Sequence, residues 1–302
     1  MISGLWHRPY FLLTLTALFW AGNLIIGKLI VGHVPPVTLS VVRWLGTFII
    51  ILPFAWSHLN RDWTIIRQHL WFFLGLSTLG FAIPAVLTYW SLHYTQALNV
   101  LLIQSSMPLF IALWALILFG NRLTKGQAIG IFTSLCGVAV ILLRGDVTAI
   151  TRVELNKGDL MFTLNCALFG LYSAAVSRAP KISQLSILTI MAGGCAVLLL
   201  PFAIWELSST AVILDAASLS ALAFLILFVT LLSYLFFNRG IQLIGPIRAS
   251  PFFHLIPAFG SVMAILFLGE QLHAFHIVGY AAVMVGLYLA SRRPAKAAVS
   301  AA

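Results

Sequence analysis

The sequence predicts an all-α polytopic membrane protein, with ten transmembrane helices forming two inverted five-helix repeats around a central cavity. Three observations carry this expectation. The 302-residue chain is 61% hydrophobic and only 8% charged, whereas a soluble domain is charged at about a quarter of its positions. Apolar runs long enough to cross a hydrocarbon core recur along it. Landmark residues return at a nearly constant spacing, so the second half echoes the first. Each apolar run must be helical, because lipid offers no partner to a free backbone N–H or C=O.

In order, the spans are expected at 10–31, 37–56, 70–92, 97–119, 126–143, 159–178, 184–205, 218–238, 248–269 and 274–291. The first, from Tyr10, is long enough to stay as an anchor rather than be removed as a signal peptide. The second follows Pro35-Pro36 and carries Arg43; the third ends on Tyr89 to Tyr94. The fourth and ninth contain Pro108 and Pro257, and the fifth and tenth carry glycine stripes (Gly126, Gly130, Gly137; Gly279, Gly286) that let helices approach closely. The sixth and eighth carry aromatic and polar residues together (Phe169, Tyr172; Tyr234, Asn238). The longest predicted connections, 57–69, 144–158 and 206–217, leave no room for a soluble domain.

A net charge of +10 invites a nucleic-acid reading, but the basic residues sit in loops between apolar spans, where they report topology. One set of loops holds twelve Lys and Arg, the opposite set holds Arg144, Arg152 and Lys157, and Lys28 and Arg43 lie within spans. The basic side faces the cytoplasm, so both termini lie inside and the number of spans is even. Cys136, Cys166 and Cys195 fall within apolar spans and read as small buried hydrophobes rather than a disulfide or metal site.

A shift of 149 residues superimposes Pro108 on Pro257, Gly120 on Gly269, Leu123 on Leu272, Gly130 on Gly279 and Gly137 on Gly286; Ala17-Leu18-Phe19 returns as Ala167-Leu168-Phe169 at a shift of 150. The halves are expected at 1–146 and 147–302. Five spans per half make the second enter from the opposite side, which inverts it. Rocking two such bundles exposes a midplane site to each side in turn, and this is the physical warrant for a transporter.

The segment Phe19-Trp20-Ala21-Gly22-Asn23, followed by Lys28, Pro35-Pro36 and Arg43, resembles the opening of the drug/metabolite transporter (DMT) superfamily in its EamA-type repeat. So do Pro108 with Gly120-Asn121-Arg122-Leu123-Thr124 and Gly130, and their second-half counterparts Pro257, Gly269-Glu270-Gln271-Leu272 and Gly279. Asn121 departs from the pattern, which has a glutamate there, as Glu270 does. Tyr89-Trp90-Ser91-Leu92-His93-Tyr94 and the aromatic content are most similar to the YddG-type amino-acid exporters of Gram-negative bacteria. That resemblance implies export of aromatic and other neutral amino acids across the inner membrane.

All seven acidic residues lie in predicted loops or at span ends. A proton-coupled exporter of cationic drugs wants a carboxylate near the midplane; a neutral or zwitterionic substrate moved by facilitated diffusion or exchange fits better. No paired carboxylates, metal-ligand cluster, phosphate loop or triad stands out, so neither catalysis nor a cofactor is expected. Lys28 and Arg43 lie toward the periplasmic ends of their spans: either Lys28 snorkels and Arg43 caps loop carbonyls, or one of the two draws anionic groups, such as an amino-acid carboxylate, to the cavity mouth, with a structural role expected for Arg43. Asn23 either bonds a neighbouring helix or donates to substrate. Tyr89 and His93 share one face at i, i+4, and the 149 shift maps them onto Asn238 and Gln242, so two polar faces are expected to meet across the cavity. Trp56, Trp63, Trp71 and Trp90 fit an interfacial belt.

Pro108 and Pro257 are expected to interrupt their helices, freeing the carbonyls of Gln104 and Phe253 and serving as static kinks or as hinges. His254 is the most central histidine and the natural carrier if a proton is coupled. Trp20, Tyr89, Phe169, Tyr172 and Phe253 would wall the cavity, and Asn23, Gln104 and Asn238 would receive the polar ends of an amino acid. Spans 1, 3, 4, 6, 8 and 9 are expected to line it. A sugar-phosphate or nucleotide-sugar carrier, a cationic-drug exporter and a membrane receptor or scaffold stay open as alternatives. The partners expected are a small-molecule substrate and lipid but no nucleic acid, with the chain acting as a monomer or alternatively a dimer.

Overall fold

The computed structural model describes residues 6–119, 125–146, 156–176, 179–244, 252 and 255–291, and among them no strand forms. Helix α1 spans Pro9–Leu29, α2 Pro36–Gln68 and α3 Leu70–Tyr94. The fourth predicted span is two segments, α4 (Ala97–Gln104) and α5 (Met107–Phe119). Then follow α6 (Lys125–Leu142), α7 (Lys157–Val176), α8 (Gln184–Ser209), α9 (216–244), α10 (Leu255–Leu268) and α11 (Ala274–Ser291). By length and composition α1, α2, α3, α8 and the 216–237 part of α9 can each cross a membrane, and shorter apolar helices lie in α6, α10 and α11. Large apolar side chains stand on the outer surface, including Phe54, Trp71, Val197, Trp205 and Leu266, as a lipid solvent permits.

Two expectations about boundaries are corrected. Residues 57–68 are not a loop: α2 runs on past Pro53 to Gln68, and its extension carries exposed Trp56 and Trp63 beside buried Asp62. The extension holds because Asp62 Oδ2 accepts from Ser183 N at 2.8 Å and Ser186 Oγ at 2.7 Å at the start of α8. Pro108 does not kink a running helix: the span breaks ahead of it at Ser105-Ser106, and Pro108 is the second residue of α5, in the first turn, where an N–H is unpaired anyway; Pro257 follows Leu255 and Ile256 at the point where the described part of α10 begins. At the break the carbonyls of Leu102 and Ile103 accept from the N–H groups of Ser105 and Ser106. The hydroxyl of Ser106 donates to Ile103 O at 2.6 Å and that of Ser105 to Leu102 O.

Helices α2 and α8 run antiparallel and cap each other. Glu206, near the end of α8, accepts from Val37 N (3.2 Å), Thr38 N (2.7 Å) and Thr38 Oγ1 (2.8 Å) at the start of α2; Asp62 returns the same service to α8. Such carboxylates satisfy orphan helix-start donors and oppose the positive end of the helix dipole. Elsewhere α1 packs against α9 and α10, while α7 packs against α3 and α5. Each bundle therefore borrows its first helix from the opposite half of the chain.

Helices α6 and α11 form a second antiparallel pair. A Cβ on Gly137 would stand 2.6 Å from Gly279 O, and one on Gly286 would stand 2.4 Å from Gly130 O. Gly130 and Gly279 are one repeat apart, as are Gly137 and Gly286, so the contacts are reciprocal. Between them Ser134 Oγ donates to Val283 O at 2.9 Å, across a separation of 149 residues. Gly126 is exposed and takes no part in this seam.

Replacing Gly286 by Val is expected to force α6 and α11 apart and destabilise the folded protein by about 1–3 kcal/mol. Gly75 is the control, because a Cβ there would meet nothing within 4 Å: Gly75→Ala should leave the melting temperature in detergent unchanged or slightly raised.

Candidate functional site

Where α1, α2, α3 and α9 converge, a guanidinium is held without a carboxylate. Arg43 lies seven residues into α2, roughly 10 Å along its axis, and is 7% exposed. Its Nε donates to Thr230 Oγ1 at 2.7 Å, and its Nη1 to Tyr89 OH at 2.8 Å and Asn23 Oδ1 at 3.4 Å. Tyr89 OH in turn donates to Asn23 Oδ1 at 3.0 Å. Four helices are thus joined by one cation and three neutral groups.

Two π-helical stretches aim residues at this cluster. In α9 residues Leu225–Leu232 are π-helical, and Thr230 Oγ1 donates to Leu225 O, five residues back, while accepting from Arg43. In α3 the stretch is Thr78–Ala82, which includes Phe81. The 149 shift carries 78–82 onto 227–231, so both halves carry the π turn at the same place. Inserted π turns frequently mark functional positions.

Aromatic rings surround the cluster edge to face. Trp44 lies 4.6 Å from Phe81 and 6.4 Å from Tyr234. Trp20 reaches Phe237 at 5.3 Å and Tyr234 at 5.9 Å, and Tyr172 lies 5.5 Å from Phe81 and 5.3 Å from Phe169. The Arg43 carbon Cζ sits 5.1 Å over the Trp44 ring, a cation–π contact. Gly80 permits the approach of Tyr172, whose ring atom would be 2.3 Å from a Cβ there. A void between α1, α9 and α10, bordered by Trp20, Phe237 and Phe252, measures about 10 Å³, room for about one water.

The cluster brings together six expected residues, Trp20, Asn23, Tyr89, Phe169, Tyr172 and Tyr234. It does not bring in Lys28 or His93. Lys28 Nζ donates to Leu92 O (2.6 Å) and Thr95 O (2.7 Å), so its ammonium closes the end of α3. His93 is exposed, within electrostatic reach of Lys28 and Glu206. Gln104 lies at the break, its Oε1 buried and without a partner. The side chains of Asn238 and Pro108, and residues Phe253 and His254, lie outside the described set, as does the Gln242 side chain expected opposite His93. Arg43 is corrected from a cap of loop carbonyls to the hub of the cluster, and α2 joins the lining helices. Its signal in the sequence was a charge inside an apolar span; for Thr230, Trp44 and Phe81 no signal was present.

At the end of the molecule where α1 and α3 finish, a polar knot ties the bundles together. Asn99 Nδ2 donates to both oxygens of wholly buried Asp159 (3.2 and 3.0 Å), and Thr95 Oγ1 donates to Asp159 Oδ1. His276 Nδ1 accepts from His273 N, which leaves Nε2 to donate to Asn99 Oδ1 at 2.7 Å. Glu270 accepts from Ala97 N and Leu98 N, both at 2.7 Å, and so caps α4. Helix α4 packs on α10, α7 and α1, and α5, its continuation, packs on α7.

A sequence model of the EamA-like transporter family matches this chain twice, over residues 7–143 and 156–292. An uncharacterized transporter of Bacillus subtilis, YyaM, is 26% identical over 291 residues, covering 93% of each chain. An uncharacterized transporter of Archaeoglobus fulgidus is 24% identical over 293 residues, covering 95% of this chain and 98% of its own. A probable amino-acid metabolite efflux pump of Salmonella typhimurium is 23% identical over 302 residues, covering 94% of each. A solved crystal structure superposes with a TM-score of 0.60 at 18% identity, over 93% of this chain and 96% of the other, a likeness of fold.

Tyr89→Phe removes an acceptor from a buried cation and is expected to destabilise the protein by about 1–3 kcal/mol. In the Arg43→Met background the same change should cost less, giving a coupling of about 1 kcal/mol in a double-mutant cycle of unfolding. Additive costs would mean that the two side chains do not interact.

Proposed function

The chain belongs to the EamA-like transporter family, and from that membership we propose that it carries neutral, preferably aromatic, amino acids across the bacterial cytoplasmic membrane by alternating access, without a coupling ion. Its family and relatives are transporters rather than enzymes. In this reading the chain is a ten-helix inverted repeat with both termini in the cytoplasm, acting outward as an exporter. The reciprocal contacts of α2 with α8 and of α6 with α11 support the inversion.

The single observation that carries the substrate class is the Arg43 cluster inside its aromatic shell. Ring faces suit an aromatic side chain and a passing ammonium. Among the described residues no carboxylate contacts Arg43, which disfavours cationic drugs; a single free guanidinium is too few cations for a sugar phosphate. The relative described as a probable amino-acid metabolite efflux pump supports the same class. Trp20, Phe169 and Tyr172 would wall the passage, Asn23 and Gln104 would receive polar groups, and the knot around Asp159 would hold one end shut while the other admits substrate.

Purified protein in liposomes loaded with unlabelled tryptophan or tyrosine is expected to draw in the labelled form without a proton gradient. The double variant Asn23→Ala, Tyr89→Ala should lose this counterflow. No uptake beside a working control carrier rejects the aromatic substrate, and undiminished uptake by the double variant rejects the cluster as the site.

A further inference from the structure

We propose that Arg43 and Trp44 form a carboxylate-binding subsite, and that the substrate itself supplies the counter-ion this protein withholds from Arg43. The inference rests on the amino-acid reading above and assigns its anionic end. Arg43 has five N–H donors, of which Nε and Nη1 are engaged by Thr230, Tyr89 and Asn23. Nη2 has no partner among the described residues, and no carboxylate among them lies within ion-pairing distance of the guanidinium. Beside it, Trp44 is 3% exposed and its Nε1–H is buried with no acceptor. Two consecutive residues thus carry unpaired donors, one of them cationic, and the partner that a guanidinium pairs with most strongly is a group with acceptor oxygens and a negative charge, a carboxylate.

The acids whose bonds the structure describes are engaged elsewhere. Among the described residues Asp62, Glu206, Asp215 and Glu270 are each bonded to N–H groups at a helix start, and Asp159 is held by Thr95 and Asn99. An isolated charge buried in a membrane helix marks a functional position, and here every neutral neighbour fixes the orientation of the fork without neutralising it. The three bonds to Nε and Nη1 leave the Nη2 edge as the direction of approach, and the Trp44 ring packs against the guanidinium from one side.

Counterflow in liposomes tests this with three probes: phenylalanine, phenylalaninamide (ammonium but no carboxylate) and 3-phenylpropionate (carboxylate but no ammonium). The wild type is expected to require about ten-fold or more phenylalaninamide than phenylalanine for half-saturation. Arg43→Gln should abolish that discrimination, and Arg43→Lys should retain part of it, a point charge replacing a fork. Equal handling of acid and amide by the wild type would overturn the subsite while leaving amino-acid transport standing; this arm needs no variant, so it holds even if Arg43→Gln fails to fold. Transport of 3-phenylpropionate without phenylalanine would support the subsite and reject the amino-acid reading. Unchanged discrimination in a folded Arg43→Gln protein would also overturn the subsite.

Discussion

A helix that starts in or near a bilayer exposes backbone N–H groups that neither lipid nor its own turns can satisfy. The solution at three starts here is a carboxylate brought from a distant part of the chain. Glu206 serves α2, Asp62 serves α8 and Glu270 serves α4, while Asp215 and Asn156 serve their own helices α9 and α7. Because the long-range caps cross between halves, the bonds that complete individual helices are also those that assemble the molecule. Antiparallel order of α2 and α8 follows directly, since the end of each must lie beside the start of the other.

This use of the acids shapes the interior. With Asp62, Glu206, Asp215 and Glu270 held at helix starts and Asp159 in its knot, the cluster around Arg43 contains, among the described residues, donors, neutral acceptors and rings, and no anion. Burial of an unpaired charge is costly, and the three bonds to Thr230, Tyr89 and Asn23 lessen that cost without cancelling it. The π turns belong to the same arrangement: by adding a residue to α9 they turn Thr230 toward a cation on α2, which a regular helix of that sequence would leave on another face. Caps at the periphery and an unmatched arginine inside are two sides of one distribution of charge.

Much of the helical plan was legible because lipid imposes a simple rule on composition, and the boundaries of α1, α3, α6 and α8 lie close to the expected spans. The seam of α6 and α11 was legible too, since glycines that recur 149 residues apart on two apolar helices mark faces where backbones can touch. What escaped was long-range. The extension of α2 rests on Asp62 finding Ser183, 121 residues away, and no local pattern announces that. Arg43 was visible as an embedded charge, but its role depends on Tyr89 and Thr230 arriving from other helices. Pro108 read equally as a kink or as a first-turn residue, and only the break at Ser105-Ser106 distinguishes the two. Lys28 could not be placed without knowing where α3 ends.

The knot around Asp159 has a further consequence. One repeat away from Asn99 and Glu270 the sequence carries Arg248 and Asn121, and where Ala97 offers an N–H to Glu270 the equivalent Pro246 has none. The positions one repeat away from the knot are therefore chemically unlike it. In the alternating-access reading proposed above, unequal ties would weight the two facing states unequally at rest, and the carrier would have different half-saturation concentrations on its two sides. For an uncoupled carrier, detailed balance keeps the ratio of maximal rate to half-saturation concentration the same in both directions. The side with the weaker apparent affinity must then be the side with the faster limiting rate, and the asymmetry sets where the carrier waits rather than which way net flux runs.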